Sequence, residues 1–194
     1  KMEEDGLKEV INPSELFLRD YYPEDNLPGK VIVPTIEGSR SFLVEIQALV
    51  TNSNLPIPRR ISQGISYNRL CLLLAVLEKR AGLHLYNQDV YINVAGGVKV
   101  SEPSCDLGIA LSIASSFKDK SFLKKTVAIG EIGLGGEIHS VGFIERKLKE
   151  AVKLGFTQIL IPQSSLKEIR NFPKVKLIGI RNVREAIRRG LEEK

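Results

Sequence analysis

The hydrophobic period of this chain switches from two to about 3.6 and back again, so its fold must seat strands and helices on one core. Phe42, Val44, Ile46, Ala48 and Val50 alternate with Glu45 and Gln47, which predicts a half-buried strand after a first strand at Val31-Ile32-Val33. Leu70, Leu73, Leu74 and Leu77 then recur at i, i+3, i+4 and i+7. That spacing predicts a helix from a Ser66 cap to about Ala81, stopped by Gly82. Between these two elements, residues 51–66 read as a long loop carrying Pro56, Pro58 and the pair Arg59-Arg60.

The remainder repeats the switch. Asp89 to Val94 alternates as a strand closing at Gly96-Gly97, and a helix follows from about Ser104 to Phe117, with Leu107, Ala110, Leu111 and Ala114 on one face. Val127-Ala128-Ile129 is a strand, and Gly133-Leu134-Gly135-Gly136 is a hairpin turn leading to Glu137-Ile138. Phe143 to Leu154 is an amphipathic helix closed by Gly155. Ile159 to Ile161 and Val175 to Ile180 are buried strands separated by a short helix near Ser165–Arg170. Asn182 caps a last helix that turns Val183, Ala186, Ile187 and Leu191 inward. Early antiparallel strands followed by β-α-β-α make an α/β (α+β) sandwich.

Residues 1–28 differ in character. Leu7 to Val10 reads as a short strand, Asn12-Pro13-Ser14-Glu15 as a turn or helix start, and Tyr21 to Gly29 as a polar linker. The segment has too few apolar residues to fold alone. We expect 1–28 to be the trailing edge of a preceding domain plus a linker, and 29–194 to be the folded domain.

Composition narrows the function. An apolar share of 43% over 194 residues supports a core without staples, and no run approaches the ~20 apolar residues of a membrane helix. The start, Lys1-Met2-Glu3-Glu4-Asp5, lacks a signal-peptide core, so a soluble cytoplasmic protein is expected, with no membrane partner. Cys71 and Cys105 are read as small buried thiols, and His84 and His139 are isolated, so no metal site is expected. No G-x-x-x-x-G-K-[ST] stretch is present, and glycines 130, 133, 135 and 136 do not fit G-x-G-x-x-G, so no nucleotide cofactor is expected here. A net charge of +5 permits an acidic partner without requiring one.

Two blocks carry a resemblance. Glu102-Pro103-Ser104-Cys105-Asp106-Leu107 and Gly130-Glu131-Ile132 through Gly142-Phe143-Ile144-Glu145 are similar to the two active-site blocks of Lon-type serine–lysine peptidases. On that pattern Ser104 stands at the nucleophile and Glu145 at the lysine. A serine hydroxyl needs a base held neutral beside it, and an acidic side chain supplies a weak base and opposes the oxyanion. Asp106 adds a further negative charge. Lys147 lies on a different helix face from Glu145, Lys149 shares its face a full turn away, and Lys99 precedes Ser104 in a strand or turn. We therefore expect a degenerate site with no catalytic residue.

The likeness extends through Gly6 to Leu18, Leu43 to Leu49, Pro58-Arg59-Arg60, Asn68-Arg69-Leu70, Leu74 to Arg80, Asn87 to Val90, Val94 to Lys99 and Ser112 to Ser116. Over essentially the whole chain it resembles the Lon-like C-terminal domain of bacterial RadA (Sms) DNA-repair proteins. That resemblance implies a zinc finger and a RecA-like ATPase core elsewhere, which would carry the zinc, magnesium and ATP. It also implies hexameric rings, branch migration of recombination intermediates, and partners that include single-stranded or branched DNA and a RecA-type recombinase. Arg59, Arg60 and Arg69 are the candidate DNA contacts, with mostly electrostatic, sequence-independent binding expected. Two alternatives stand beside this: an active Lon-like peptidase with an unusual base, and a domain that only builds the ring.

Overall fold

The structure, a computed structural model, describes residues 2–3, 6–7, 13–18, 27–38, 40–169, 172 and 175–191. A two-residue hairpin, β1 (Met2–Glu3) with β2 (Gly6–Leu7), and a short helix, α1 (Pro13–Phe17), come first. Of the expected strand Leu7 to Val10, residues 8–10 lie outside the described residues, as do residues 21–26 of the expected linker Tyr21 to Gly29. Helix α1 packs on the domain. Buried Ser14 donates to Glu150 Oε1 at 2.6 Å and accepts from the Leu43 N–H at 3.0 Å, while Phe17 meets Phe42 with ring centroids 5.4 Å apart.

Seven strands form the main sheet: β3 (Lys30–Glu37), β4 (Arg40–Asn52), β5 (Arg60–Gln63), β6 (Gln88–Val94), β7 (Thr126–Ala128), β10 (Gln158–Pro162) and β11 (Lys176–Ile180). Their order is β11-β10-β7-β3-β4-β6-β5. The early pairs β3–β4 and β4–β6 are antiparallel, whereas β7, β10 and β11 run parallel through helical crossovers. A separate hairpin joins β8 (Glu131–Ile132) to β9 (Ile138–His139). The α/β sandwich expected from the sequence is present.

Strand alternation sorts side chains into two cores. Val31, Val33, Val44, Ala128, Leu160 and Ile178 face a core shared with α2 (Tyr67–Val76), α3 (Asp106–Lys118) and α5 (Val183–Gly190). Their neighbours Ile32, Leu43, Val127, Ile159 and Ile161 face a second core under α4 (Ile144–Lys153). Strands covered on both faces read as continuous apolar runs, as Val31-Ile32-Val33 and Ile159-Leu160-Ile161 do.

Two expectations need correction. The first half of β4 is buried on both faces, Glu45 included at 5% exposure, because α4 covers the face that alternation alone assigns to solvent. Glu45 is matched by Gln47 Nε2 at 2.6 Å and Lys30 at 3.8 Å. The stretch 51–66 is no uninterrupted loop: β4 runs on to Asn52, and β5 adds a parallel edge strand beside β6. Short, with alternate residues exposed, β5 lacks the apolar signature that would mark it.

Helix limits follow the predicted chemistry. The Ser66 hydroxyl caps α2, a π turn over Leu77–Ala81 extends it, and Gly82 ends it at φ +73°, where a side chain would be strained. Asn182 caps α5 by accepting from the Glu185 N–H at 2.9 Å. Among the described residues, no helix is long and apolar enough to cross a membrane.

A close helix–sheet approach at Gly108 tests this packing. A Cβ on Gly108 of α3 would stand 2.0 Å from Val33 Cγ1. Gly108→Ala is expected to destabilise the fold by about 1–2 kcal/mol, overpacking outweighing the better helix propensity. Urea unfolding measures it, and a variant as stable as the parent would show that the two layers are looser than described.

Candidate functional site

Glu102, a 3-10 turn over Pro103–Cys105 and the start of α3 carry the first resemblance block. Pro103 suits the first helical position, since its missing N–H would have no partner there. The Gly130 N–H donates to the Ser104 carbonyl at 2.8 Å and the Leu107 N–H to the Gly130 carbonyl at 3.0 Å, stitching the turn to the chain just beyond β7. Ser104 is therefore shut in, at 1% exposure, with Cys105 Sγ 4.0 Å from its hydroxyl.

Neither thiol is paired. Cys105 is buried as expected and leans on the Pro34 carbonyl at 3.4 Å, while Cys71 on α2 is only half-buried. Burial first, and then the Glu102 carboxylate, push the Cys105 thiol up to about 12. It stays protonated at neutral pH, so it is no substitute nucleophile.

Asp106 is almost fully buried, and its charge has a partner. Arg69 donates Nε to Oδ1 at 2.7 Å and pairs with Oδ2 through Nη2, which also reaches the Ile132 carbonyl at 3.2 Å. The Ile132 N–H closes the cluster by donating to Oδ2 at 3.2 Å. Burial raises the Asp106 carboxyl above its usual range, opposed by the Arg69 and Ile132 hydrogen bonds. The unfavourable lone charge expected at this position is thus half of an ion pair. Arg69 and Asp106 line a cleft of about 190 Å³ together with Ile65, Ser66, Glu102 and Ile109.

Glu145 sits exposed in the first turn of α4, away from this cleft. Lys147 does take a different face, and that face is the buried one. At 0% exposure, its ammonium pairs with Glu102 and donates to the Gly142 carbonyl at 3.0 Å. The second Glu102 oxygen accepts from the Ile36 N–H at 3.1 Å. Sequence reasoning missed this contact, although a signal existed: Ile144, Lys147, Leu148 and Ala151 follow the i, i+3, i+4, i+7 stripe of an inward face. Lys99 and Lys149 are exposed.

The three arginines singled out in the sequence do not form one patch. Arg69 is held in the cleft. Arg60 donates Nη2 to the Leu85 carbonyl at 2.8 Å, Nη1 to the Arg59 carbonyl at 3.1 Å, and Nη1 also to the Gln88 carbonyl, clamping the loop onto the turn before β6. Arg59 is exposed, and its guanidinium makes no hydrogen bond or ion pair among the described residues. Its backbone is fixed: the Arg59 N–H donates to Asp89 Oδ1 at 2.7 Å, and the Val90 N–H donates to the Arg59 carbonyl at 2.9 Å. Among the described residues, no group of three or more His, Cys, Asp and Glu side chains is placed to hold a metal ion.

Comparison with known proteins adds two findings. The family described as subunit ChlI of Mg-chelatase matches residues 73–165, a span that holds both resemblance blocks. The "DNA repair protein RadA" of Bacillus subtilis is 48% identical over 191 residues, covering 98% of this chain and 41% of that protein. The proteins of that name from Halalkalibacterium halodurans and Streptococcus pneumoniae are each 46% identical, over 96% and 97% of this chain and 40% and 44% of their own lengths. The chain thus spans about two fifths of the curated relatives it matches.

The ion pair and the loop anchor give separate tests. Arg69→Ala leaves the Asp106 carboxyl buried without its partner. A loss of about 2–3 kcal/mol is expected by urea unfolding, below the ~3–5 of a fully buried pair because the guanidinium is 30% exposed. Stability unchanged from the parent would remove the ion pair from the account. Asp89 is held below the usual carboxylate range, first by the Arg59 N–H and then by the Ser53 hydroxyl. Its hold on the loop is complete above the ordinary value near ~3.9 and is lost as pH falls through the lower folded value. An NMR titration should move the Arg59 amide with a midpoint below ~3.9 and show no such step in Asp89→Asn. A midpoint at or above the ordinary value would contradict the anchor.

Proposed function

Since the chain belongs to the RadA family of DNA repair proteins, we propose that it serves as a non-catalytic, Lon-like assembly and DNA-binding domain of a repair ATPase. The observation that carries the non-catalytic reading is the 1% exposure of Ser104. A nucleophile must meet a substrate carbonyl and a neutral base within about 3 Å. Here Glu145 faces solvent, and the buried lysine is bound to Glu102 and Gly142 instead of standing free beside a hydroxyl.

The wider proposals rest on the relatives and on the resemblance. The whole protein would be a DNA-dependent ATPase acting in branch migration of recombination intermediates, with ATP, magnesium and zinc held in parts outside this chain. It would work in the cytoplasm as a ring, a hexamer by resemblance, beside a RecA-type recombinase. Within this chain, Arg59 is the best placed of the three candidate arginines to reach a phosphate, because its side chain is exposed and its backbone is anchored. Arg60 and Arg69 would act on DNA mainly by shaping the surfaces beside it.

A protein-hydrolysis assay and a salt series test this. No hydrolysis is expected, and a signal that vanishes in Ser104→Ala would overturn the non-catalytic reading. Binding to two unrelated single strands should be equal and should fall linearly in log K against log salt. Arg59→Ala should weaken it about threefold to tenfold and flatten the slope by about 0.7, the value for one single-strand phosphate contact. Affinity indifferent to salt would exclude phosphate contact. Light scattering with and without single-stranded DNA tests assembly: a ring-sized mass supports it, and a monomer unresponsive to DNA counts against it.

A further inference from the structure

A second basic surface lies in a cleft whose lining shares no residue with the one beside Ser104. Lys118, Lys120, Arg184 and Arg188 line a cavity of about 270 Å³ with Ile187 and Leu191 among its apolar walls. Backbone geometry brings these four together. Helix α3 ends at Lys118, and Asp119 turns left-handed at φ +49°. The Asp119 N–H then donates to the Ser116 carbonyl and the Lys120 N–H to the Ser115 carbonyl, at 3.2 and 3.0 Å. The Ser115 hydroxyl holds the Lys120 carbonyl at 2.5 Å, so Lys118 and Lys120 flank a fixed turn. The Leu123 N–H, at 2.9 Å from the Gly190 carbonyl, ties the next residues to the end of α5. On α5 itself, Arg184 and Arg188 are four residues apart and share one face.

The charges in this cleft are poorly matched. Arg184 donates one hydrogen bond, to the Arg80 carbonyl at 3.0 Å. The side chains of Lys118, Lys120 and Arg188 make no hydrogen bond or ion pair among the described residues, and no lining residue is acidic. Glu185, the described carboxylate on α5, takes the Arg181 N–H at 2.9 Å and Arg189 at 3.2 Å. Glu192 and Glu193 lie outside the described residues. A cation at the end of α3 suits the helix dipole, and this accounts for Lys118. It does not account for four cations around one cleft, whose mutual repulsion an oxyanion would relieve.

We propose that this cleft is a phosphate-binding site, for a phosphate group carried by a nucleic-acid strand or by a mononucleotide. Its volume lies below the ~300–1,000 Å³ of sites that enclose a whole small ligand. The phosphate and its sugar fit against Ile187 and Leu191, while the base stays outside, so no base preference arises. For a strand the inference rests on the DNA-binding reading above; for a mononucleotide it does not.

The test uses this chain and the double variant Lys118→Gln/Arg188→Gln, two exposed positions, with circular dichroism expected to match the parent's as the check that the fold is kept. A labelled 20-residue oligothymidylate is followed by fluorescence anisotropy across a salt series, and ADP by amide NMR shifts. The double variant should weaken the oligonucleotide about tenfold and flatten its salt slope by about 1.4, two contacts at ~0.7 each. That loss without any ADP response assigns a strand. ADP shifts confined to the cleft and lost in the variant assign a mononucleotide. Oligonucleotide binding weakened in Arg59→Ala but unchanged in the double variant, with no ADP response, overturns the cleft and leaves the DNA reading standing. If the parent binds no oligonucleotide, the DNA reading fails and ADP alone decides: shifts lost in the variant keep the site, and their absence overturns it.

Discussion

The central strands of this sheet are covered on both faces, so any charge placed between the layers must have a partner with it. Two carboxylates and two cations beside the Ser104 turn obey that constraint. Glu102 accepts the buried Lys147 ammonium and an N–H of β3, and Asp106 accepts Arg69 and an N–H of β8. Between them these contacts join α2, α3, α4, the edge hairpin and the central sheet. A buried pair of this kind is not strong evidence for extra stability, but removing one partner is costly. The region is held by mutual obligation among four side chains.

The same arrangement bears on chemistry. A serine–lysine site requires an accessible hydroxyl and an amine without a competing counter-ion. Here the Ser104 hydroxyl is buried, Glu145 faces solvent, and the Lys147 ammonium is engaged by Glu102. On the function proposed above, the scaffold would be retained with a changed use, exercised at the basic surfaces of Arg59 and of the α3–α5 cleft.

Much of the fold was legible because it rests on local rules. The Ser66 and Asn182 caps, the stop at Gly82 and the Gly133–Gly136 turn depend on backbone chemistry within a few residues. Strand β5 and the double burial of β4 were not legible, since each depends on a neighbour far away in sequence. At the candidate site, the blocks around Ser104 and Glu145 were visible in the sequence as a resemblance, yet the environment of each arginine was not. Arg59 and Arg60 are adjacent in the chain, but one guanidinium faces solvent and the other grips carbonyls of residues 85 and 88.

By itself, then, the sequence determined most of the element types and their order, though not β5, because periodicity and caps are properties of the chain alone. Only the tertiary structure decided which charges are paired. Arg69 found Asp106 across 37 positions and Lys147 found Glu102 across 45, distances over which no local pattern carries information about contact. The gathering of Lys118, Lys120, Arg184 and Arg188 has the same cause: the end of one helix is packed against the face of another, and their charges meet only when the core closes.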